Sequence, residues 1–266
     1  MLSSAALTEC LEVAQEAAQR AAAVLQDWRH RFRVSTKGRF DFVTDADLAS
    51  QQTIREIIGR RFPQHEFLGE EDKSVRVRPD ADSPPTWIVD PLDGTTNYLH
   101  DCPLYSVSIG LQVAGDLVVG VVLDPSRPEL FKAAKGQGAW LGDERLATSR
   151  VTQLEDAMLG TGFPSDMRDR DDLYHYWRYF GLRTHALRRT GSTALNLAYV
   201  AAGRFDAYYA FDNHAWDVAA GAVLVREAGG MITNVDGSPF DPFTPDGLAS
   251  NGPLHPVLLP CFQSPP

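Results

Sequence analysis

Near the N-terminus apolar residues return every three or four positions. Leu7, Leu11, Ala14, Ala18, Ala21 and Leu25 share one face, which predicts a helix over residues 5–28. Ser3 or Ser4 is placed to cap its start. The polar, glycine-containing stretch 33–44 predicts a loop. A second helix is expected over 46–61, with Leu48, Ile54, Ile57 and Ile58 facing the core and Pro63 ending it. Glu66-Phe67-Leu68 reads as a short extended piece leading into Gly69-Glu70-Glu71-Asp72. Residues 73–85, rich in charge and proline, predict an exposed loop.

The period then changes. Trp87-Ile88-Val89 is a short buried-type run expected to stop at Asp90. The β-rich runs 105–113 and 117–123 flank Ala114-Gly115-Asp116, a hairpin signal. Residues 131–146 continue as hairpins turning at Gly136, Gly138 and Gly142. Beyond them strands are expected near Met158 and Ala186 and over 207–211 and 231–235, with helices over 168–180, 193–202 and 216–228. Such alternation predicts sheets covered by helices. The chain reads as a single domain over 1–266, with a soft division near Arg150 between a strand-rich half and an alternating half.

Composition narrows the function classes. With 266 residues, 44% hydrophobic and 23% charged, the chain can bury a large core. Its formal net charge of −10 argues against nucleic acid as a partner, because a phosphate backbone calls for a basic surface. The same acidity would repel a small phosphate ester unless a bound cation supplied positive charge locally. Cys10, Cys102 and Cys261 form no CxxC pair, so neither a zinc site nor a disulfide framework is expected, and a cytoplasmic location fits. Glu9, Glu12 and Glu16 interrupt the N-terminal segment, which reads as a first helix and not as a signal peptide. No apolar run reaches the length of a membrane span.

The chemistry concentrates at Asp90-Pro91-Leu92-Asp93-Gly94-Thr95. Pro91 fixes the turn after a strand, and Gly94 permits tight backbone geometry. Two carboxylates, a loop carbonyl and the Thr95 hydroxyl can converge as an all-oxygen set, which suits magnesium. The same residues also fit a simple turn in which each Asp bonds nearby amides. Three other segments offer acids: Glu70 and Glu71 after Gly69, Asp217 after Trp216 at a helix start, and Asp41, Asp45 and Asp47 before the second helix. Taken singly, each equally fits a solvated turn or a charge favoured at a helix N-terminus.

Together these segments resemble one family. GEED at residues 69–72, DPLDGTTN at 90–97 and WDVAAG at 216–221 are similar to the inositol monophosphatases, as are DFVTDAD at 41–47 and RRTGSTALNLAYVAAGRFDAYY at 188–209. The resemblance runs from the first helix to about Gly252. It implies a mixed α/β fold, a layered α-β-α-β-α sandwich shared with sugar phosphatases. It also implies a lithium-sensitive phosphatase acting by in-line attack of a metal-activated water, with two to three magnesium ions per site, and a homodimer. By resemblance Glu70, Asp90, the Leu92 carbonyl and Thr95 hold a first ion, and Asp90, Asp93 and Asp217 a second. Thr95, Asp47 and Glu70 would serve the attacking water. Substrate would contact Asp93, Gly94, Thr95, Gly191, Ser192, Thr193 and Asp217, with the Gly94 and Thr95 amides on the phosphate. Lys37 lies in a loop that closes over the metals in the family, and fits a solvated surface charge equally well.

The family's inositol-contacting glutamate falls at Ala210, seven residues before Asp217, and Asp212 is the nearest acid that could replace it. His214 is set aside because magnesium disfavours imidazole. Trp216, Tyr208, Tyr209 and Tyr199 are expected in the core. The function implied is hydrolysis of inositol monophosphate or a related polyol phosphate. Alternatives are a family phosphatase for fructose 1,6-bisphosphate, histidinol phosphate or a nucleotide 3′-phosphate, or a regulatory binding protein of the transcription or RNA machinery.

Overall fold

A computed structural model describes residues 2–38, 41–72 and 78–263. Helix α1 (Ser4–Trp28) buries all six residues of the apolar stripe, and the Ser3 hydroxyl caps it by accepting from the Ala6 N–H at 3.2 Å. The stretch expected as a loop is instead an antiparallel hairpin, β1 (Val34–Gly38) and β2 (Asp41–Thr44). Every residue of β1 is exposed, so its sequence carries no in-out alternation by which a strand is recognised.

Helix α2 (Asp45–Arg61) starts at a reciprocal cap between Thr44 and Asp47. Leu48 is 47% exposed and does not face the core as expected. The inward face carries Ala46, Asp47, Ser50, Gln51, Ile54 and Ile58. Half of that face is polar because it looks onto the chemistry, which hid the helix's orientation from the apolar pattern.

β3 (Glu66–Gly69) pairs in parallel with β4 (Thr86–Asp93). Of the loop expected at 73–85, residues 73–77 lie outside the described residues. After the short helix α3 (Thr95–Leu99) come β5 (Ser106–Val113), β6 (Asp116–Asp124), β7 (Glu129–Ala134), β8 (Gly138–Leu141) and β9 (Glu144–Arg145). These strands form a seven-stranded sheet in the order β3-β4-β5-β6-β7-β8-β9.

Near residue 150 the chain crosses to a second sheet. β10 (Met158–Gly162), α4 (Asp171–Gly181), β11 (Ala186–Arg188), α5 (Thr193–Ala201), β12 (Ala207–Ala210), α6 (Ala215–Glu227) and β13 (Met231–Asn234) follow the expected alternation. β14 (Gly247–Ser250) and α7 (His255–Gln263) were not expected: the strand is four residues long, and Pro260 inside the helix reads as a breaker. The five strands run in the order β11-β10-β12-β14-β13.

Three apolar clusters separate five layers. α1 and α2 cover one face of the large sheet, around Leu25, Ile54, Trp87 and Ile109. α5 and α6 lie between the two sheets, around Leu195, Leu197, Ala219 and Val223. α4 and α7 cover the far face of the small sheet, around Phe180, Tyr209 and Phe262. This is the α-β-α-β-α sandwich. Among the described residues no helix is long and apolar enough to cross a membrane.

The topology aims both sheets at one cleft. β3 and β4 are parallel, as are β10, β11 and β12, and ligands in such sheets gather beyond the carboxyl ends of the strands. Beyond those ends lie Glu70, Asp93 to Thr95, Phe163, Gly191 to Thr193 and Asp212 to Asp217.

Candidate active site

Side chains alternate along a strand, so residues three apart, such as Asp90 and Asp93, should face opposite sides. β4 resolves this with a bulge. Asp90 pairs with Ser108 and Asp93 with Ser106, three residues on one strand against two on the other. The extra residue turns both carboxylates the same way. Pro91, which lacks an N–H, sits in the bulge where no ladder bond is needed, and the Leu92 N–H donates to Asp90 Oδ1 at 2.9 Å. The strand therefore continues to Asp93 where the sequence suggested a stop at Asp90.

Gly94 follows at φ +93°, where a Cβ would lie 2.9 Å from the Leu104 carbonyl oxygen, so only glycine fits the turn into α3. The first intrahelical bond there runs from the Tyr98 N–H to the Gly94 carbonyl, so the amides of Gly94 and Thr95 precede the bonded part of the helix.

Asp93 is held by the start of α5. Its Oδ1 accepts from the Thr193 N–H at 3.1 Å, and its Oδ2 from the Ala194 N–H at 2.8 Å, the Ser106 hydroxyl at 3.2 Å and the Ser192 hydroxyl. Asp217 caps its own helix by accepting from the His214 N–H at 2.7 Å. Behind it, the Ser108 hydroxyl donates to the Trp216 carbonyl at 3.1 Å, tying α6 to the large sheet. Asp47 is fully buried: its Oδ2 accepts from the backbone and hydroxyl of Thr44, and its Oδ1 faces the Thr95 hydroxyl at 3.2 Å. That hydroxyl is also 3.1 Å from the Leu92 carbonyl.

The electrostatics are lopsided. Burial, then the charges of Glu70, Asp93 and Asp217, pushes Asp90 well above the usual carboxylate range, and Asp90 shares a hydrogen bond with Glu70. Burial and Asp93 push Asp217 the same way. Burial raises Asp93 to about 6 against the pull of its hydrogen bonds, and raises Asp47 to about 6. Glu71 is raised to about 7 by burial and by Glu70. The cation lining this cleft is Lys37 on β1, 2.8 Å from Glu70 and 2.6 Å from Glu71. Among the described residues no group of three or more His, Cys, Asp and Glu side chains is drawn together tightly enough to grip an ion unaided. Magnesium needs only one or two carboxylates beside its own waters. The hard, all-oxygen, net-negative donor set fits such an ion, because buried carboxylates lacking a cation are costly.

Glu70, Asp90, Leu92, Asp93, Gly94, Thr95, Gly191, Thr193 and Asp217 all line one cleft of about 490 Å³. Ser192 and Asp47 are the exceptions: both are fully buried, Ser192 with its hydroxyl turned to Asp93 and Asp47 reaching the cleft only through the Thr95 hydroxyl. Asp45 accepts from the Arg33 N–H at 3.2 Å, on the hairpin side and away from the cleft.

A model of the inositol monophosphatase family matches residues 6–264. The chain belongs to that family. An inositol-1-monophosphatase from Synechocystis is 41% identical over 96% of this chain and 89% of its own. The Nus factor SuhB of Pseudomonas aeruginosa is 43% identical over 77% and 76%. The solved inositol monophosphatase from Anabaena superposes with a TM-score of 0.87 at 40% identity, covering 98% of both chains.

Ala210 is 1% exposed, lies in the apolar core and does not line the cleft, while Asp212, which does line it, is paired with Arg170. Residues that sequence reasoning passed over brace the site: Thr44 bonds Asp47, Ser106 bonds Asp93 and Ser108 bonds the Trp216 carbonyl, with Ser50 donating to the Pro91 carbonyl at 2.8 Å and Gln51 accepting from the Glu71 N–H at 2.9 Å. A readable signal existed for one pair. Ser106 and Ser108 put polar groups at period two into the apolar run from Tyr105, which marks one strand face as facing something polar. His214 stacks on Trp216 with ring centroids 4.6 Å apart, and Tyr199, Tyr208 and Tyr209 are buried.

Proposed function

We propose that this phosphatase-family chain is a magnesium-dependent hydrolase of small phosphate monoesters, of inositol or a related polyol. The single observation that carries the reading is the convergence of Glu70 after β3, Asp90 and Asp93 on β4 and Asp217 on α6 on one cleft beside Thr95 and Asp47. Glu70, Asp90, the Leu92 carbonyl and Thr95 would hold one ion, and Asp90, Asp93 and Asp217 another, a third lying near Glu70. Bound magnesium supplies Lewis acidity for the attacking water and steadies charge on the attacking and leaving oxygens. The Thr95 hydroxyl points at Asp47 Oδ1 and can pass a proton from water to that carboxylate. An Asp47 raised to about 6 is well matched to accept it near neutral pH. The amides at the start of α3 would orient the phosphate, and Gly191 and Thr193 border the leaving group. Ser192 acts through Asp93. Lithium sensitivity and a homodimer follow from the family resemblance, and the free Cys10, Cys102 and Cys261 agree with a cytoplasmic setting.

The test is phosphate release, with and without magnesium, from inositol 1-phosphate and from sugar, histidinol and nucleoside phosphates. Magnesium-dependent turnover of at least one polyol ester is expected. The likeness to a Nus factor carries a second reading, a binding role in transcription. Turnover of none of these esters would favour that second reading over the first.

A further inference from the structure

β3 ends in a tight turn over residues 69–72, closed by the Asp72 N–H donating to the Gly69 carbonyl at 3.3 Å. Glu70 and Glu71 occupy its two central positions. Glu70 lines the cleft and Glu71 holds Lys37, whereas Asp72, the third acid of the run, does not line the cleft. Its oxygens are engaged by the turn and by α2. Oδ2 accepts from the Gly69 N–H at 2.9 Å, and Oδ1 accepts from the Gln51 amide at 3.2 Å and from Arg55.

The buried Gln51 side chain makes a second bond, its Oε1 accepting from the Glu71 N–H at 2.9 Å. It thus grips both residues that follow Glu70. A Cβ at position 69 would lie 2.2 Å from that oxygen, so the turn comes this close to α2 only as glycine. Arg55, one helical turn beyond Gln51, lies over the Phe67 ring, 4.0 Å from its centroid, which fixes the guanidinium against β3. On the sheet side the Glu70 N–H donates to the Val89 carbonyl at 3.0 Å. Glu70 is therefore held between β4 and α2.

We propose that Gln51 and Arg55 are positioning residues, which act through Glu71 and Asp72 to set the Glu70 carboxylate toward the magnesium it would hold. The inference rests on the magnesium reading above and adds α2 to the parts on which that centre depends. Residue 51 must both accept and donate, which an ionised carboxylate cannot do. If Asp72 becomes Asn the requirement reverses, because Asn can donate to a carboxylate at 51 while still accepting from the Gly69 N–H. Charge and position also pull in opposite directions. Adding a negative charge at 51, or removing the positive one at 55, would by charge alone tighten a cation's binding. Loss of position weakens it.

The experiment titrates chelator-stripped protein with magnesium chloride in a calorimeter and follows thermal unfolding of the same metal-free samples. Gln51→Glu and Arg55→Gln should each raise the magnesium Kd about tenfold, the factor carried by one lost hydrogen bond. Gln51→Glu combined with Asp72→Asn restores both the net charge and the complementary donors, and its Kd should return to within about threefold of wild type. Arg60→Gln is the control. It removes the same charge as Arg55→Gln from the same helix, at a side chain that donates to the Glu56 carbonyl, and should leave Kd unchanged. A brace that serves stability alone would lower the metal-free unfolding temperature and leave Kd at the wild-type value. That result, tighter binding in either single variant, or no recovery in the combined one would overturn the positioning role. Failure of wild type itself to bind magnesium would instead overturn the magnesium reading beneath it.

Discussion

Asp90 is 2% exposed and has Glu70, Asp93 and Asp217 as neighbours, so without a cation it is stable only when it keeps a proton. Asp93 and Asp47 at about 6 and Glu71 at about 7 share the condition. All stand above their ordinary values of 3.8 and 4.5, so the folded protein binds more protons than the unfolded chain in this range. Their contribution to stability is full below about pH 4 and is lost as pH rises through about 6 to 7. The unfolding temperature of metal-free protein should therefore fall across that window, and magnesium should restore it at pH 8. Asn at position 90 can still accept from the Leu92 N–H while donating to Glu70. Asp90→Asn should be more stable than wild type at pH 8 without metal and gain little from magnesium, as thermal unfolding would show. At this scale the family resemblance pointed to Glu70, Asp90, Asp93 and Asp217, which the fold gathers at one cleft. It did not reveal that Ser192 serves Asp93, or that Arg170 takes Asp212, since both depend on side-chain directions that spacing leaves open.

The elements hold these residues through close approach. α6 lies against β5 and β6 at Gly110 and Gly120, and a Cβ at Gly120 would fall 2.3 Å from the Ala220 carbonyl oxygen. Gly120→Ala should destabilise by about 1–3 kcal/mol, because backbone and sheet must part to admit the methyl group. Gly59, inside α2, has nothing within 4 Å of a would-be Cβ. Gly59→Ala should stabilise by about 0.5–1 kcal/mol through helix propensity alone. Denaturant titration of both variants checks the pair, and opposite signs are expected. Elements with strong periodicity, α1 and the β5–β6 hairpin among them, were legible. The β1–β2 hairpin was not, because the full exposure of β1 erases alternation, and α2 was misoriented because its inward face includes Asp47, Ser50 and Gln51. The bulge in β4 was invisible for a related reason: DPLD reads as a turn, and only pairing with Ser106 and Ser108 makes it a strand with both acids on one side.

Over the whole molecule, two sheets sharing α5 and α6 bring acids from residues 70, 90, 93 and 217 to one cleft. The alternation of helices with strands indicated layers, and the family resemblance their order. The short β14 and the proline-containing α7 that complete the small sheet and its outer layer lacked any such signal. A net charge of −10 and a cleft of buried carboxylates make an anionic substrate unwelcome unless cations intervene. The direct test is phosphate release from inositol 1-phosphate, or the best ester of the panel, by chelator-stripped protein titrated with magnesium. Wild type should recover activity in step with magnesium, while Asp93→Asn and Asp217→Asn, shown to be folded, should lose it by orders of magnitude. Full activity in both folded variants, or turnover indifferent to magnesium, would contradict the assignment of these carboxylates.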